Sequence, residues 1–279
     1  MELEAYSLSE FQSSLKRIKS KLTLFMTPSE QPKAYLLGGQ SGAGKTTIHR
    51  ILKEKNSNLI VIDGDAFRAY HPNALEIAEK YGVDDVKYTA KFAGQMVESL
   101  VNELSNEHYN LVVEGTLRTS EIPLKTAQLL YDIGYDVQFY GMVVKPELSY
   151  ISTLQRYEMM YKADPTTARA TPKAHHDTII EHLPENLNVL DDSRFFSDLF
   201  LINRAGEILY QKSKDIGMKP SEVVLDVWNG SWTDDEKEMF ASSSNVVIEL
   251  FLKRSNARAE GLFELTEFIQ FVNEKTAIR

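Results

Sequence analysis

The amino-acid sequence predicts an α/β fold, namely an open and mainly parallel β-sheet with helices on both faces, followed by a mostly helical C-terminal tail. Three observations support this prediction. Five short apolar runs lie between residues 34 and 202. The runs do not alternate apolar with polar side chains, which is typical of strands covered on both faces. Segments with helical periodicity separate the runs, as in sheets built from strand–helix–strand units.

The elements follow one another at regular spacing. The first is an amphipathic helix over residues 9–25, whose apolar side chains recur at steps of three and four. The predicted strands are residues 34–37, 59–62, 111–113, about 137–144 and 199–202, and the predicted helices between them are about 45–55, 84–105, 121–133 and 147–162. Ligands of such sheets bind at the carboxyl ends of the strands, so the polar residues after the first three runs are the candidates for a site.

In the C-terminal tail, beyond about residue 215, periodicity predicts fewer elements. Two further helices are expected at about 219–228 and 259–273, whereas the stretch between them, with Trp228–Trp232 and Ala241–Ser244, looks loop-rich. We therefore expect a domain over residues 1–215 that includes the N-terminal helix. Residues 216–279 are expected to be a helical extension packed on that domain.

Composition excludes several classes of function. The 279 residues are 43% apolar and 25% charged, an ordinary globular profile, and contain no cysteine. A disulfide framework, a thiolate metal site and a catalytic thiol are therefore excluded. The net charge of −9 disfavours nucleic acid as a partner, because a sequence-independent binder needs excess Lys and Arg to neutralise phosphates.

Nothing in the sequence indicates export or membrane insertion. The acidic start lacks the basic and apolar regions of a signal peptide, and no apolar run approaches the ~18 residues that span a bilayer. We expect a cytoplasmic protein without a membrane partner. If an acidic protein of this kind binds an anionic substrate, its cations should be concentrated at one place.

A phosphate-loop motif is the most specific local signal. The motif G-x-x-x-x-G-K-[ST] is matched by Gly39, Gln40, Ser41, Gly42, Ala43, Gly44, Lys45 and Thr46, and Thr47 follows it. Glycines let successive backbone N–H groups converge on phosphate oxygens, and the following helix adds its dipole. Lys45 is expected to reach the β- and γ-phosphates of ATP, and the Thr46 hydroxyl is expected to bind Mg²⁺.

The motif occurs in several classes of protein, which other signals separate. A GTPase needs a switch threonine, a D-x-x-G motif and an N-K-x-D base reader, and none stands in the expected order. A motor or AAA-type ATPase needs an apolar strand that ends in Asp-Glu, which is absent. The pattern of small-molecule kinases remains.

Acidic residues follow two of the predicted strands. Asp63 and Asp65 follow the second run, where one could accept a hydroxyl proton and the other could hold a metal-bound water, although Asp-Gly is also a common turn dipeptide. Glu114 follows the third run and could orient the magnesium shell or a substrate hydroxyl, or simply cap the strand end. The spacing leaves these alternatives open.

Two arginines are candidates to stabilise the charge of a transferring phosphoryl group. Arg156 lies on the 147–162 helix opposite its apolar face, and Arg169 lies between two prolines that restrict the backbone. Taken alone, each is more typical of a solvated surface arginine. The six histidines show no metal-ligand spacing.

Together these motifs resemble the zeta toxins, the kinase halves of epsilon/zeta-type toxin–antitoxin pairs. The matching segments occur in family order over about residues 32–210, roughly two-thirds of the chain, and are 37–47, 61–67, His71-Pro72, 113–118, 156–158 and 168–173. The resemblance implies a phosphate-loop kinase-like fold. It also implies an activity, in which the γ-phosphoryl group of ATP passes to the 3′-hydroxyl of the amino sugar of UDP-N-acetylglucosamine and peptidoglycan synthesis is blocked.

The resemblance also implies roles for individual residues. Lys45 and the loop amides would hold the phosphates, Asp65 would be the general base, and Arg156 and Arg169 would neutralise the transferring group. The sugar-nucleotide pocket would be lined by Asp65, Glu98, Glu114, Thr116, Arg118 and Thr126. A cognate antitoxin would cover the ATP site.

Two other functions remain open. A kinase of another small molecule would phosphorylate something other than the sugar nucleotide. A nucleotide-gated binding module would bind ATP and yield no phosphorylated product. A candidate base together with two arginines favours catalysis.

Overall fold

A six-stranded sheet organises the part of the chain that the computed structural model describes, residues 2–165, 168–254 and 258–277. Its strand order is β2-β3-β1-β4-β5-β6, with β6 antiparallel to β5 and the other neighbours parallel. The strands are β1 (Lys33–Gly39), β2 (Ile60–Ile62), β3 (Leu111–Glu114), β4 (Asp136–Met142), β5 (Asp198–Ile202) and β6 (Ile208–Gln211). The predicted fold class, an open and mainly parallel sheet, is confirmed, and β6 is an addition to it.

Helices connect the strands and continue beyond the sheet. In chain order they are α1 (Leu8–Leu22), α2 (Thr46–Lys55), α3 (Gly64–Phe67), α4 (Ala74–Tyr81), α5 (Asp85–Asn106), α6 (Glu121–Asp132), α7 (Pro146–Ala163), α8 (Lys173–Asp191), α9 (Pro220–Asn229), α10 (Asp234–Lys253) and α11 (Ala259–Ala277). Among the described residues, none of the helices is both long and apolar enough to cross a bilayer.

Alternate side chains of the five parallel strands enter two different apolar layers. Leu36 and Val113 face the layer that contains residues of α1, α5, α6, α8 and α9. Leu37 and Val112 face the opposite layer, which contains Ile48 and other residues of α2. Because both faces are covered, the strands carry continuous apolar runs, and each fully buried Leu or Ile contributes roughly 1.5–3 kcal/mol.

The predicted loop-rich stretch between residues 228 and 259 is confirmed at residues 230–233 and is wrong from residue 234, because α10 occupies residues 234–253. Thr233 begins the helix with a capping box, accepting from the backbone N–H of Glu236. Serines favour caps and turns over helix interiors, which made the Ala241–Ser244 stretch look like a loop. In the structure Ser243 and Ser244 are buried on the face of α10 that packs against α7.

An ion pair between Arg254 and Glu158 ties the end of α10 to α7. Their side chains are almost fully buried with 3.4 Å between Nη1 and Oε1, and the guanidinium also lies over the rings of Tyr157 and Phe251. Burial raises the pKa of Glu158 and the charge of Arg254 only partly offsets this. The cation is therefore what makes a buried carboxylate tolerable at this place.

We expect Arg254→Met to lower the free energy of unfolding by about 3–5 kcal/mol at pH 7, because it leaves the Glu158 carboxylate buried without a counter-charge. The loss should shrink as the pH falls toward the raised pKa of Glu158, since a protonated carboxyl needs no cation. Urea unfolding at pH 7 and pH 5 measures both effects. A loss that is equal at both pH values, or that persists in the Glu158→Gln/Arg254→Met double variant, contradicts this explanation.

Candidate active site

The carboxyl ends of β1, β3 and β2 lie side by side and bring the predicted polar residues together. Leu37 of β1 pairs with Glu114 of β3, and Ile62 of β2 pairs with Val113. Asp63 therefore follows its strand beside Glu114, and the phosphate loop begins just beyond Leu37. Parallel register alone places the two candidate acids next to the loop.

The loop backbone has the conformation that its glycines permit. Gly39, Gly42 and Gly44 have φ of +131°, +76° and +96°, values that other residues rarely adopt. A Cβ on Gly42 would lie 2.2 Å from the carbonyl oxygen of Ser149, so the loop packs tightly on α7. No side chain in the described residues caps the N-terminus of α2, which starts directly after Lys45. Backbone N–H groups with this arrangement can bind an anion.

Some side chains of the motif serve the fold. Gln40 is fully buried and its amide nitrogen donates to the carbonyl of Val144 at 2.6 Å, so only its backbone can face a nucleotide. The Thr47 hydroxyl donates to the carbonyl of Arg204 at 3.3 Å. Thr46 is exposed at the first position of α2. A single hydroxyl beside bound phosphates fits Mg²⁺, which keeps several waters and takes few protein ligands.

Lys45 interacts electrostatically with both acidic and basic side chains. Burial lowers the pKa of Lys45, and the carboxylates of Glu114, Asp65 and Asp63 raise it in part, whereas Arg156 lowers it further. A buried ammonium is costly unless a partner stabilises it. The phosphates of a nucleotide would provide that stabilisation.

A cavity of about 720 Å³ opens beside the loop. It is lined by the predicted catalytic and substrate residues other than Lys45 and Glu98 and by one residue of the loop, namely Ser41, Asp65, Glu114, Thr116, Arg118, Thr126, Arg156 and Arg169, and also by Arg68, Lys87 and His175. The chain has a net charge of −9, yet it collects several cations on the walls of this one cavity. Its volume and the convergent polar groups are typical of a small-molecule site.

Glu98 does not line this cavity. Its exposed carboxylate pairs with Lys125 at 2.5 Å and lines a neighbouring groove of about 1130 Å³ between the N-terminal segment and α5. Lys87 lines both the cavity and the groove. The structure therefore brings the other predicted substrate residues together in the cavity and places Glu98 in the neighbouring groove.

Asp65 is held in the cavity by two arginines. The Nε of Arg68 donates to the carboxylate at 2.9 Å, and Nη1 of Arg169 donates to the Asp65 backbone carbonyl at 2.7 Å. Partial desolvation raises the pKa of Asp65, but the Arg68 hydrogen bond and the charges of Arg68, Arg169 and Arg156 outweigh it and hold the pKa below its ordinary value. Asp65 is therefore ionised at neutral pH and can accept a proton.

The two other acids have local partners. The Asp63 carboxylate accepts from the backbone N–H of Asp65 at 2.9 Å and caps α3, so the turn interpretation holds for Asp63. Burial and the charge of Glu114 raise the pKa of Asp63. Glu114 is the last residue of β3, and its carboxylate lies 2.7 Å from Nε2 of His49 on α2. It lines the cavity as well as ending the strand.

Arg156 and Arg169 approach the cavity from different elements. Arg156 projects from α7 and its Nη2 donates to the Thr171 hydroxyl at 3.3 Å. Arg169 lies in the segment that precedes α8. Both line the cavity that contains Asp65, Arg156 with an exposed side chain, as its sequence alone suggested, and Arg169 with a partly buried one.

Besides Lys87 and His175, the sequence prediction missed three residues that contact the site, namely Arg68, His49 and Arg204. Arg68 is three residues after Asp65 on a continuing helical turn, a spacing that favours an ion pair. His49 is four residues after Lys45 on α2. Arg204 follows the end of β5, so the strand-end rule applied to the fifth run would have identified it.

Comparisons with known proteins find one matching family model and several similar chains. The family model described as Zeta toxin matches residues 16–215. Toxin PezT of Streptococcus pneumoniae is 48% identical over 254 residues, which cover 91% of this chain and 100% of that protein. Toxin zeta of Streptococcus pyogenes is 44% identical over 196 residues, 70% of this chain and 68% of that protein. A solved structure from the PezAT chromosomal toxin–antitoxin system of Streptococcus pneumoniae superposes with a TM-score of 0.81 at 44% identity, covering 91% of this chain and 100% of that one.

Proposed function

The chain belongs to the zeta toxin family, and on that premise we propose that it transfers the γ-phosphoryl group of ATP to the 3′-hydroxyl of the amino sugar of UDP-N-acetylglucosamine. One observation carries the proposal. Ser41 of the phosphate loop, the ionised carboxylate of Asp65 and two arginines from other segments line one cavity, and together with the rest of the loop they supply the kinds of group that phosphoryl transfer requires.

The loop side of the site would bind the donor. Its backbone N–H groups and the N-terminus of α2 would hold the phosphates, and Lys45 would neutralise the β- and γ-phosphates. Thr46 would be a ligand of Mg²⁺, which would supply positive charge to offset that of the donor phosphates. Binding would also offset the energetic cost of the partly buried Lys45 ammonium.

The cavity side would bind and activate the acceptor. Asp65 would take the proton of the attacking hydroxyl, and Arg156 and Arg169 would neutralise the negative charge that develops on the transferring group. Glu114, Thr116, Arg118 and Thr126 would line the sugar-nucleotide pocket. Glu98 would contact the same molecule only where it extends from the cavity into the neighbouring groove.

The expected biological consequence follows from the substrate. A sugar nucleotide phosphorylated at its 3′-hydroxyl cannot serve peptidoglycan synthesis, so the free protein would be toxic. Relatives belong to toxin–antitoxin systems, which supports a cognate antitoxin for this chain. We propose that the antitoxin covers the ATP site.

Mass spectrometry of a reaction with Mg-ATP and UDP-N-acetylglucosamine tests the proposal directly. One added phosphoryl group on the sugar nucleotide, formed by the wild type and not by Asp65→Asn, is the expected result. A product on another metabolite would instead identify a kinase of a different small molecule. Nucleotide binding without any phosphorylated product would identify a nucleotide-gated module.

The lowered pKa of Asp65 predicts how the rate depends on pH. A base with a depressed pKa stays ionised at low pH, so the acid limb of kcat/KM should lie below the ordinary aspartate value of about 3.9. Arg68→Met removes the strongest stabilisation of the carboxylate and should move that limb to higher pH. Circular dichroism at each pH separates this shift from acid unfolding. An acid limb that does not move contradicts the assignment of Asp65 as the base.

A further inference from the structure

Arg204 is hydrogen-bonded to the backbone of the phosphate loop. It lies in the turn between β5 and β6 and is outside the set of described residues that line the cavity. Its Nη2 donates to the carbonyl of Gly42 at 2.6 Å, and its Nε donates to the carbonyl of Ala43 at 3.1 Å. Two successive loop carbonyls therefore accept from a single guanidinium.

The same guanidinium also reaches α7. Its Nη2 lies 2.8 Å from the hydroxyl of Ser152 and 3.3 Å from the carbonyl of Leu148. Helix α7 carries Arg156 one turn further along. Arg204 thus connects the loop that would hold the donor phosphates with the helix that presents a cation to the transferring group.

Peptide geometry shows why these contacts bear on the cavity. In a trans peptide the C=O and the following N–H point in opposite directions, and the described chain contains no cis peptide bond. When the Ala43 carbonyl points at Arg204, the N–H of Gly44 points the other way, away from the guanidinium. The hydrogen bond to Ala43 therefore fixes the direction of the Gly44 N–H, one of the loop donors that would bind phosphate.

We propose that Arg204 is a positioning residue that sets the peptide planes of the phosphate loop and the distance from that loop to α7. This inference rests on the proposed function, because it takes nucleotide phosphates as the ligand of the loop. Lysine cannot replace arginine here, since an ammonium lacks the planar fork that reaches two carbonyls and a hydroxyl at once.

Nucleotide binding and steady-state kinetics of Arg204→Lys test the proposal. We expect the Kd of a non-hydrolysable Mg-ATP analogue, measured by calorimetry, to rise about 10-fold or more, because charged hydrogen bonds to the loop are lost. The KM for the nucleotide should rise with it, whereas the KM for the acceptor should not change. A merely structural defect would reduce the active fraction, which lowers kcat and leaves both KM values as they were.

Two further variants complete the test. Arg50→Lys changes an exposed arginine of α2 that pairs with Glu54, and it should leave binding and rate unchanged. Ser152→Ala removes the α7 hydroxyl that accepts from Arg204 and donates to the Leu148 carbonyl, and it leaves the contacts of Arg204 with the loop in place, so we expect a lower kcat with a nearly unchanged nucleotide Kd. It keeps the inference testable if Arg204→Lys fails to fold.

The outcomes separate this inference from the proposed function. An unchanged nucleotide Kd in a folded Arg204→Lys, or an unchanged kcat in Ser152→Ala, overturns the positioning role and leaves the kinase proposal intact. A wild-type chain that binds no nucleotide overturns both.

Discussion

Lys45→Ala is expected to abolish phosphoryl transfer, with a loss of about 10³-fold or more, and to remove toxicity in the producing cell. The ammonium is the cation of the phosphate loop itself, and it lies among the carboxylates of Asp63, Asp65 and Glu114. Without it, those negative charges would face the donor phosphates with less compensation. Product formation followed by mass spectrometry, and growth after induction, measure the two effects.

The same substitution should not destabilise the protein without nucleotide. Burial lowers the pKa of Lys45, which means that folding disfavours its charged form. Removing the side chain removes that cost, so the thermal unfolding midpoint should be equal to or higher than that of the wild type. This is the pattern expected where a residue is kept for activity at the expense of stability.

Lys53→Ala is the matched control for this experiment. Lys53 lies on the same helix, α2, but is exposed and outside the motif. Its loss should affect neither transfer nor toxicity. A Lys45→Ala protein that remains toxic would refute the kinase mechanism.

Asp65→Asn is expected to reduce transfer by about 10²-fold or more while nucleotide binding survives. The amide oxygen can still accept the hydrogen bond from Arg68, so the local structure should be kept. The amide cannot accept the proton of the acceptor hydroxyl, and only the chemical step should suffer. Single-turnover rates measure the chemical step, and the Kd for Mg-ATP measures nucleotide binding.

Asp63→Asn provides the comparison within the same turn. Asp63 caps α3 through the backbone N–H of Asp65, and asparagine caps helices about as well as aspartate. A much smaller loss is expected than for Asp65→Asn. Equal losses would shift the role of base toward Asp63, and loss of ATP affinity in Asp65→Asn would make Asp65 a metal-binding or structural residue.

These predictions depend on groups that the sequence could identify to different degrees. The phosphate loop was predictable because its function is local: consecutive residues supply the backbone N–H groups, the lysine and the helix start. The strand-end acids were predictable as a set, since parallel strands end at one edge. Their individual roles were not, because the Asp63 side chain is used by a helix cap that depends on the conformation of the following residues.

The C-terminal tail shows the opposite case. Its serine-rich stretch has weak helix propensity, and the prediction of a loop there was wrong. Tertiary packing outweighed propensity, because Ser243 and Ser244 are small enough to let α10 lie against α7. Whether a side chain is buried depends on what packs against it, and a local window of sequence does not contain that information.

The sequence by itself therefore determined the fold class, the phosphate-loop motif and the edge of the sheet where we propose that a ligand binds, because these follow from periodicity and from contiguous motifs. It also offered Arg156 and Arg169 as candidate cations, but only the tertiary structure showed which distant cations come together. Arg68, Arg156, Arg169 and Arg204 come from four different segments of the chain. The folded chain brings the first three to the walls of one cavity and the fourth into contact with the loop. Electrostatic interactions depend on distance in space, and for residues so far apart in the chain only the packing of helices on the sheet sets that distance.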